Sequence, residues 1–334
     1  MMNDFCNVLV TCGGRWVGVV LQLQEAMRRV PALKHGKLLV ASYDDFTPAG
    51  YFADEALVVP PIRHPEYIDQ LTNVCRAHAI RVLVPLIDQD LERLAPRLDK
   101  FAAIGTTVIC PPPDLVDLCM DKLRFARFAE SKQLNHPKTC PSSEIQALSF
   151  PVFYKKRRGH GSIGSGICFS AGHALAEASA SPDVLFQEYV RAPEVTVDAY
   201  ISRTGGCTVC VPRVRDIVVG GESYTTHTIR DPAVTDLALR TISVLAQEGL
   251  RGPLNVQMFQ TSPPMLIEVN TRIGSANVLS NVASRGRLLE SILCEASGGT
   301  CDGDPEDYMV GLTLSRFLGD VFHQGGEVLA VKPG

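Results

Sequence analysis

Glu268 and Asn270 stand two apart in Leu266-Ile267-Glu268-Val269-Asn270-Thr271-Arg272, a segment whose apolar and β-branched content reads as a strand. Side chains alternate across a strand, so Glu268 and Asn270 leave the same face. Upstream, Leu254-Asn255-Val256-Gln257-Met258-Phe259 reads as a partner strand, joined through Thr261-Ser262-Pro263-Pro264 into a hairpin on which Gln257 can meet them. One carboxylate plus amide oxygens is a hard-oxygen set suited to a magnesium ion that also carries phosphate ligands. Arg272 follows on the same face, where its planar fork can hold anionic oxygens. The bland alternative is an exposed polar strand face.

Two further stretches could handle phosphate and nucleotide. In Phe150-Pro-Val-Phe-Tyr-Lys155-Lys156-Arg157-Arg158-Gly159-His160-Gly161-Ser162-Ile163-Gly164-Ser165-Gly166, a strand delivers lysines to a loop rich in glycine. Such a loop lets backbone N–H groups approach phosphate oxygens, and lysine adds a point charge. The string Gly159 to Gly164 fits G-x-G-x-x-G, but a strand-like segment follows where a dinucleotide fold needs a helix, so a hairpin lid is expected instead. In Val184-Leu-Phe-Gln187-Glu188-Tyr189-Val190-Arg-Ala-Pro-Glu194-Val-Thr-Val-Asp198, an apolar strand ends in polar groups. A second strand then alternates Glu194, Thr196 and Asp198, which alone would read as a solvated sheet face.

The elements that must position these residues fall into two textures. From Asn7 to Cys110, short apolar strands (Asn7–Thr11, Lys37–Ser42, Glu55–Val59, Arg81–Pro85, Thr107–Cys110) alternate with helical segments at Val17–Met27, Pro65–His78 and Asp90–Arg97. That alternation predicts a parallel sheet with right-handed crossovers. Pro111-Pro112-Pro113 marks a boundary, after which one helix is expected over Leu115–Lys132 with Asp114 as its N-cap. Beyond it, strands over Phe150–Lys156, Gly166–Ser170, Val184–Tyr189 and Glu194–Ile201 follow one another with no helix expected between them, which predicts antiparallel sheets. A helix at Thr235–Glu248 leads into the Gln257/Glu268 hairpin. The fold expected is an α/β parallel-sheet domain over 1–112, then an α+β domain over 113–334 with two antiparallel sheets. Within the latter, 136–190 would form a small lid unit and 191–300 the metal and acid-substrate unit.

Bulk properties agree with an enzyme-sized soluble chain. It has 334 residues, 46% apolar and 20% charged, with a formal net charge of −4. A nucleic-acid binder would usually carry a basic excess. No apolar run approaches the ~20 residues that cross a bilayer, and Met1 to Cys12 lacks the basic region of a signal peptide. Eleven cysteines are scattered. Cys207 and Cys210 have C-x-x-C spacing but no second pair, so they are expected in a buried strand, in a reducing cytoplasmic setting.

Taken together and in this order, the three stretches resemble the ATP-grasp superfamily, in its carbamoyl-phosphate-synthetase-like carboxylate–amine ligase branch. Asn255-Val256-Gln257 and Glu268-Val269-Asn270-Thr271-Arg272 are similar to that branch's N-V-Q and E-V-N-x-R strands. Pro85-Leu-Ile-Asp88 before a helix and Met120-Asp121-Lys122 also match, so the likeness runs from about Asn7 to Ser297. The resemblance implies a pre-ATP-grasp N-terminal domain and roles by position. Lys122 and Lys155 would face the ATP phosphates under the loop holding Gly161 and Ser162. Gln187, Glu188, Tyr189 and Val190 would hold adenine, and Glu194 the ribose. Gln257, Glu268 and Asn270 would bind Mg2+, or Mn2+ in its place. Arg272 would meet the transferring phosphate, with Arg213 and Arg215 along the acid-substrate pocket. Two departures stand out. The chain has Lys155-Lys156 where relatives usually have Lys-Pro, leaving open which lysine faces inward, although alignment favours Lys155. It also has an amide, Gln257, where many relatives have a metal-binding carboxylate.

The activity so implied is activation of a small carboxylate as an acyl phosphate, followed by attack of an amine. Its partners would be small acids and amines, with no nucleic acid and no membrane, and a homodimer is compatible. The alternatives are a synthase that phosphorylates carbamate or bicarbonate, and a catalytically silent nucleotide-binding protein.

Overall fold

The computed structural model describes residues 6–159, 161, 163–324 and 327–333. In the N-terminal part, strands β1 (Asn7–Thr11), β2 (Leu38–Ser42), β3 (Glu55–Val58), β4 (Ile80–Pro85) and β5 (Thr107–Val108) form one parallel sheet in the order β3-β2-β1-β4-β5. Helices α1 (Val17–Arg29), α2 (Tyr67–Ala77), α3 (Asp88–Leu94) and α4 (Leu98–Ala102) make the crossovers. The edge strands β3 and β5 are partly exposed, while the central strands β1, β2 and β4 are buried on both faces, by α1 on one side and by α2 and α4 on the other. That is why they read as continuous apolar runs rather than alternating ones.

The segment expected as one helix is two, α5 (Pro113–Met120) and α6 (Lys122–Ser131). Asp114 lies in the first turn of α5 but makes no cap. The capping residue is Asp121, whose carboxylate accepts from the N–H groups of Leu123 and Arg124 at 3.2 and 3.0 Å. An aspartate there satisfies N–H groups that would otherwise be orphaned. The break sets Lys122 at the first position of α6.

A four-stranded sheet follows, ordered β6-β9-β7-β8, from β6 (Thr139–Pro141), β7 (Val152–Lys156), β8 (Gly166–Cys168) and β9 (Val184–Glu188). Between β8 and β9 the chain inserts helix α7 (Ala171–Ala180), contrary to the helix-free interval expected there. Ala174 of α7 is buried against this sheet's core. The larger sheet, ordered β14-β13-β10-β11-β12-β15, contains β10 (Glu194–Ile201), β11 (Cys207–Val219), β12 (Glu222–Thr228), β13 (Gly252–Phe259), β14 (Met265–Asn270) and β15 (Thr313–Ser315). Both of these sheets are antiparallel, as expected. Helix α8 (Pro232–Gln247) packs on one face of the larger sheet, and α9 (Asn277–Ala283) and α10 (Arg287–Ala296) connect it to the parallel sheet through α1. A terminal hairpin, β16 (Gly319–Gln324) with β17 (Glu327–Pro333), completes the chain. Cys210 is buried in β11 and both it and Cys207 are free thiols. Among the described residues, no helix is long and apolar enough to cross a membrane.

Candidate active site

The two antiparallel sheets face each other across a cleft of about 390 Å³. From the smaller sheet, β7 contributes Phe153 and Lys155, while Val152 and Tyr154 pack the other way against α7. This alternation decides between the two lysines. Lys155 is 9% exposed, whereas Lys156, at the strand's end, is solvent-exposed on the rim. From the larger sheet, Gln257 is the direct cross-strand partner of Glu268, and Asn255 of Asn270. The pairing slips between Gln257 and Met258, a bulge that lets Ile267 and Glu268 both line the cleft while Leu266 and Val269 stay buried behind.

At the hinge, Gln187 is buried and its amide donates to Thr139 Oγ1 at 2.8 Å. The Glu188 N–H donates to the Lys138 carbonyl at 2.8 Å, and Tyr189 and Val190 carry the chain across the end of the cleft. Phe153, Val190, Phe259 and Ile267 give this end an apolar lining. Glu194, one strand further, accepts from Arg215 at 2.8 Å, and the same Arg215 nitrogen reaches the Gln257 Oε1 at 3.2 Å.

The opposite end is charged. Lys122 donates to the Gly159 carbonyl at 2.8 Å and lies 3.6 Å from Glu268. The position of Lys122 is set by Asp121, which also receives the Arg157 guanidinium at 2.8 and 2.9 Å, tying the base of the glycine-rich loop to α6. Lys155 has no hydrogen-bond or ion-pair partner among the described residues. Burial pushes its ammonium down to about 8, with Glu268 pulling the other way and Lys122 adding to the fall. For Glu268, burial acts to raise the carboxyl, but Lys122, Lys155, a hydrogen bond with Asn270 and Arg215 together hold it below the usual range. A half-buried carboxylate held ionised beside a buried ammonium that has no partner among the described residues is an arrangement that can receive a polyanion with its cation. The donor set is a fit test for Mg2+ that the site passes. Glu268 would supply charge, Asn270 an amide oxygen, and Gln257 a second amide oxygen, which in this structure accepts from Arg215.

The glycine-rich loop closes over this end. Gly161 has φ +63° and packs on the β11–β12 turn so closely that a Cβ on Gly221 would lie 2.7 Å from the Gly161 Cα. Ser162 lies outside the described residues. Arg272 follows β14 and lines the cleft, but its fork is engaged by Asp88 of α3, at 3.1 Å from Nε and 3.2 Å from a terminal nitrogen.

Arg213 does not belong with these residues. It is 4% exposed, donates to both oxygens of Asp198 at 2.8 and 3.3 Å, and does not line the cleft. Asp198 accepts in addition from Asn255 and Ser280. Arg213 and Arg215 share a face of β11, but Arg213 sits deeper along it, inside a buried polar network with Asp198, Ser223 and Thr226. On the face of Glu194, Thr196 and Asp198, the last two are buried, while Glu194 at the strand's start stays open to solvent. Sequence reasoning missed Asp88, Phe153, Phe259 and Ile267. Phe259 continues the alternation from Gln257 and could have been found; Asp88 needs a contact across 184 residues.

Comparison with known proteins follows the same division. Residues 8–109 match the PylC-like N-terminal domain and residues 119–276 the ATP-grasp domain. No curated protein sequence matches the chain. Among solved structures, the biotin carboxylase of Campylobacter jejuni, in complex with β-γ-ATP, is 15% identical with a TM-score of 0.74, covering 92% of this chain and 74% of that one. The L-amino acid ligase of Bacillus licheniformis is 16% identical with a TM-score of 0.68, covering 87% and 74%. The N5-carboxyaminoimidazole ribonucleotide synthetase of Thermotoga maritima is 19% identical with a TM-score of 0.65, covering 90% and 78%. The chain thus carries a PylC-like N-terminal domain built on a parallel sheet, followed by an ATP-grasp domain over residues 119–276 with the paired antiparallel sheets.

Proposed function

We propose that the chain is an ADP-forming carboxylate–amine ligase acting through an acyl phosphate. The observation that carries this reading is Lys155, a buried ammonium without a partner among the described residues, facing the ionised Glu268 in a cleft whose far end is apolar. Adenine fits the apolar end, against Phe153, Val190, Phe259 and Ile267 and the backbone of residues 187–190, with Glu194 beside the ribose. The phosphates then reach Lys155, Lys122 and the N–H groups of the glycine-rich loop. Glu268, Asn270 and Gln257 hold magnesium, which when bound supplies charge neutralisation at the phosphates.

In the reaction, a carboxylate oxygen of the acid forms a bond to the γ-phosphorus as the bond from that phosphorus to its bridging oxygen breaks. ADP leaves with the electron pair. The amine then attacks the acyl carbon, the amide bond forms, inorganic phosphate departs and the amine's proton is released. The chain's residues position the reactants and stabilise developing charge, with no protein nucleophile required. Arg272 reaches the transferring group when its fork is released by Asp88, and Arg215 lies beside the ribose end rather than the acid. Closure of the glycine-rich loop onto Gly221 keeps water from the acyl phosphate.

An L-amino acid ligase among the structural neighbours supports this reading, and biotin carboxylase neighbours, one of them with MgADP and bicarbonate, keep bicarbonate as the alternative acceptor. The test is ADP release measured with pooled carboxylic acids, with hydroxylamine present to trap acyl phosphates as hydroxamates. Acid-dependent ADP release with hydroxamate formation supports the ligase; release only with bicarbonate replaces it with the second reading, and none with any acceptor removes both.

A further inference from the structure

A second cavity of about 280 Å³ adjoins the phosphate end of the cleft. Lys122, Lys156, Glu268 and Asn270 line both, so a molecule in the second cavity reaches the phosphotransfer residues without entering the nucleotide end. The hinge residues, Lys155 and the apolar lining belong to the first cavity alone. Asp88 also lines both, and the second cavity alone is lined by Arg63 after β3, by Gln89 and Glu92 of α3 in the N-terminal domain, and by Arg158 beyond β7.

The charges of this cavity do not cancel. Each carboxylate in its wall already has a cation. Asp88 holds Arg272, Glu92 accepts from Arg158 at 3.2 Å, and Glu268 lies by Lys122. Arg158 is satisfied further by Asp117. Arg63 and Lys156 have no ion-pair or hydrogen-bond partner among the described residues. Arg63 is solvent-exposed and lines this cavity but not the nucleotide cleft. Two surplus cations, one at the phosphotransfer edge and one on the far wall, complement a molecule with two anionic ends.

Resting on the ligase reading above, we propose that this cavity receives the acid to be activated, and that the acid is small and carries a second anionic group. One carboxylate lies at the edge shared with Lys156 and Lys122, where it meets the γ-phosphate. The other anionic group, a carboxylate or a phosphate-type group, is held by Arg63. The volume is just below the ~300–1,000 Å³ usual for ligand pockets, which limits the occupant to a small acid.

The test compares linear dicarboxylates from malonate to adipate, the matching ω-phosphono-carboxylates, and monocarboxylates of equal length. Each is assayed for hydroxamate formation and, separately, for binding to the protein with MgADP by calorimetry. A dianionic acid should bind and be used with kcat/KM roughly 10-fold or more above its monoanionic counterpart, the size of one charge-assisted contact. Arg63→Met should abolish that preference by raising the KM for the dianionic acid, with the Kd for MgADP and the melting temperature unchanged. The better of the two series identifies the second group. Equal use of mono- and dianionic acids, a preference that survives Arg63→Met, or no binding of either dianionic series overturns the proposal. Dianion binding that depends on Arg63 but yields no hydroxamate leaves the subsite standing and overturns the ligase activity.

Discussion

Lys155 and Arg213 are both cations buried in the ATP-grasp domain, a strand apart from solvent, and they have opposite surroundings. Arg213 is surrounded by Asp198, Ser223 and Thr226, which use its donors. Lys155 opens onto the cleft with only long-range attraction from Glu268 and Glu194 to offset its burial. A buried ion that is fully paired is part of the packing, and one that is not is waiting for a ligand. Sequence position does not separate the two cases, since each sits on a strand in a motif-rich segment. The partners do.

The comparison breaks most visibly at Arg213. Arg213→Met leaves the Asp198 carboxylate buried without its ion pair, at a cost of about 3–5 kcal/mol in unfolding free energy. Urea denaturation should show this loss, while the folded fraction should bind MgATP as the wild type does. Weakened nucleotide binding with unchanged stability would return Arg213 to the site.

Glu268→Gln comes next. It removes the single carboxylate of the proposed metal-binding set in a nearly isosteric change. Turnover should fall ~100-fold, or about 3 kcal/mol of transition-state stabilisation, with the melting temperature kept. Wild-type turnover at limiting magnesium would take Glu268 out of the metal site.

Arg272→Lys should lower kcat by roughly 30-fold, about 2 kcal/mol, and leave ATP affinity within a few fold, because an ammonium cannot reproduce a fork that exchanges between Asp88 and the transferring group. A lower melting temperature with unchanged kcat would make the Asp88 contact purely structural.

The smallest effect is on the stability of the unliganded protein. Lys155 is protonated in the unfolded chain up to about 10.5 but in the folded chain only to about 8. Between those values the unfolded state binds more protons, so this group's contribution makes stability rise with pH. Below pH 8 its burial cost is present in full. Lys155→Met should therefore stabilise the protein by about 1 kcal/mol at neutral pH, and the gain should shrink toward pH 10.5. A variant less stable than wild type at neutral pH would show that Lys155 is satisfied in the fold.

Much of this site was legible because strand alternation is a local rule. The shared face of Glu268 and Asn270 follows from it, whereas the choice between Lys155 and Lys156, which alternation left open, needed the structure to show that the face of Phe153 and Lys155 lines the cleft. What failed was depth and distance. Arg213 and Arg215 have the same parity, and nothing local says which lies further into the sheet. The bulge at Ile267 breaks the alternation without a glycine to mark it. The division of α5 from α6 was signalled by Asp121, an N-cap residue type inside an otherwise helical run, and was passed over. Helix α7, rich in alanine and with one buried residue, gives little periodic signal. Asp88 and Arg272 each end a stretch that the resemblance picked out, but their contact across 184 residues has no local signature.

Calorimetric titration of MgATP near pH 8, in buffers of different protonation enthalpy, tests most directly whether Lys155 is the cleft's phosphate receptor. Phosphates beside the ammonium favour its charged form, so the wild type should take up protons on binding, bind more tightly with magnesium than without, and lose affinity as pH rises past about 8. Lys155→Met should bind more weakly and show no such uptake. Absence of MgATP binding, or the same proton uptake in both proteins, would contradict the assignment.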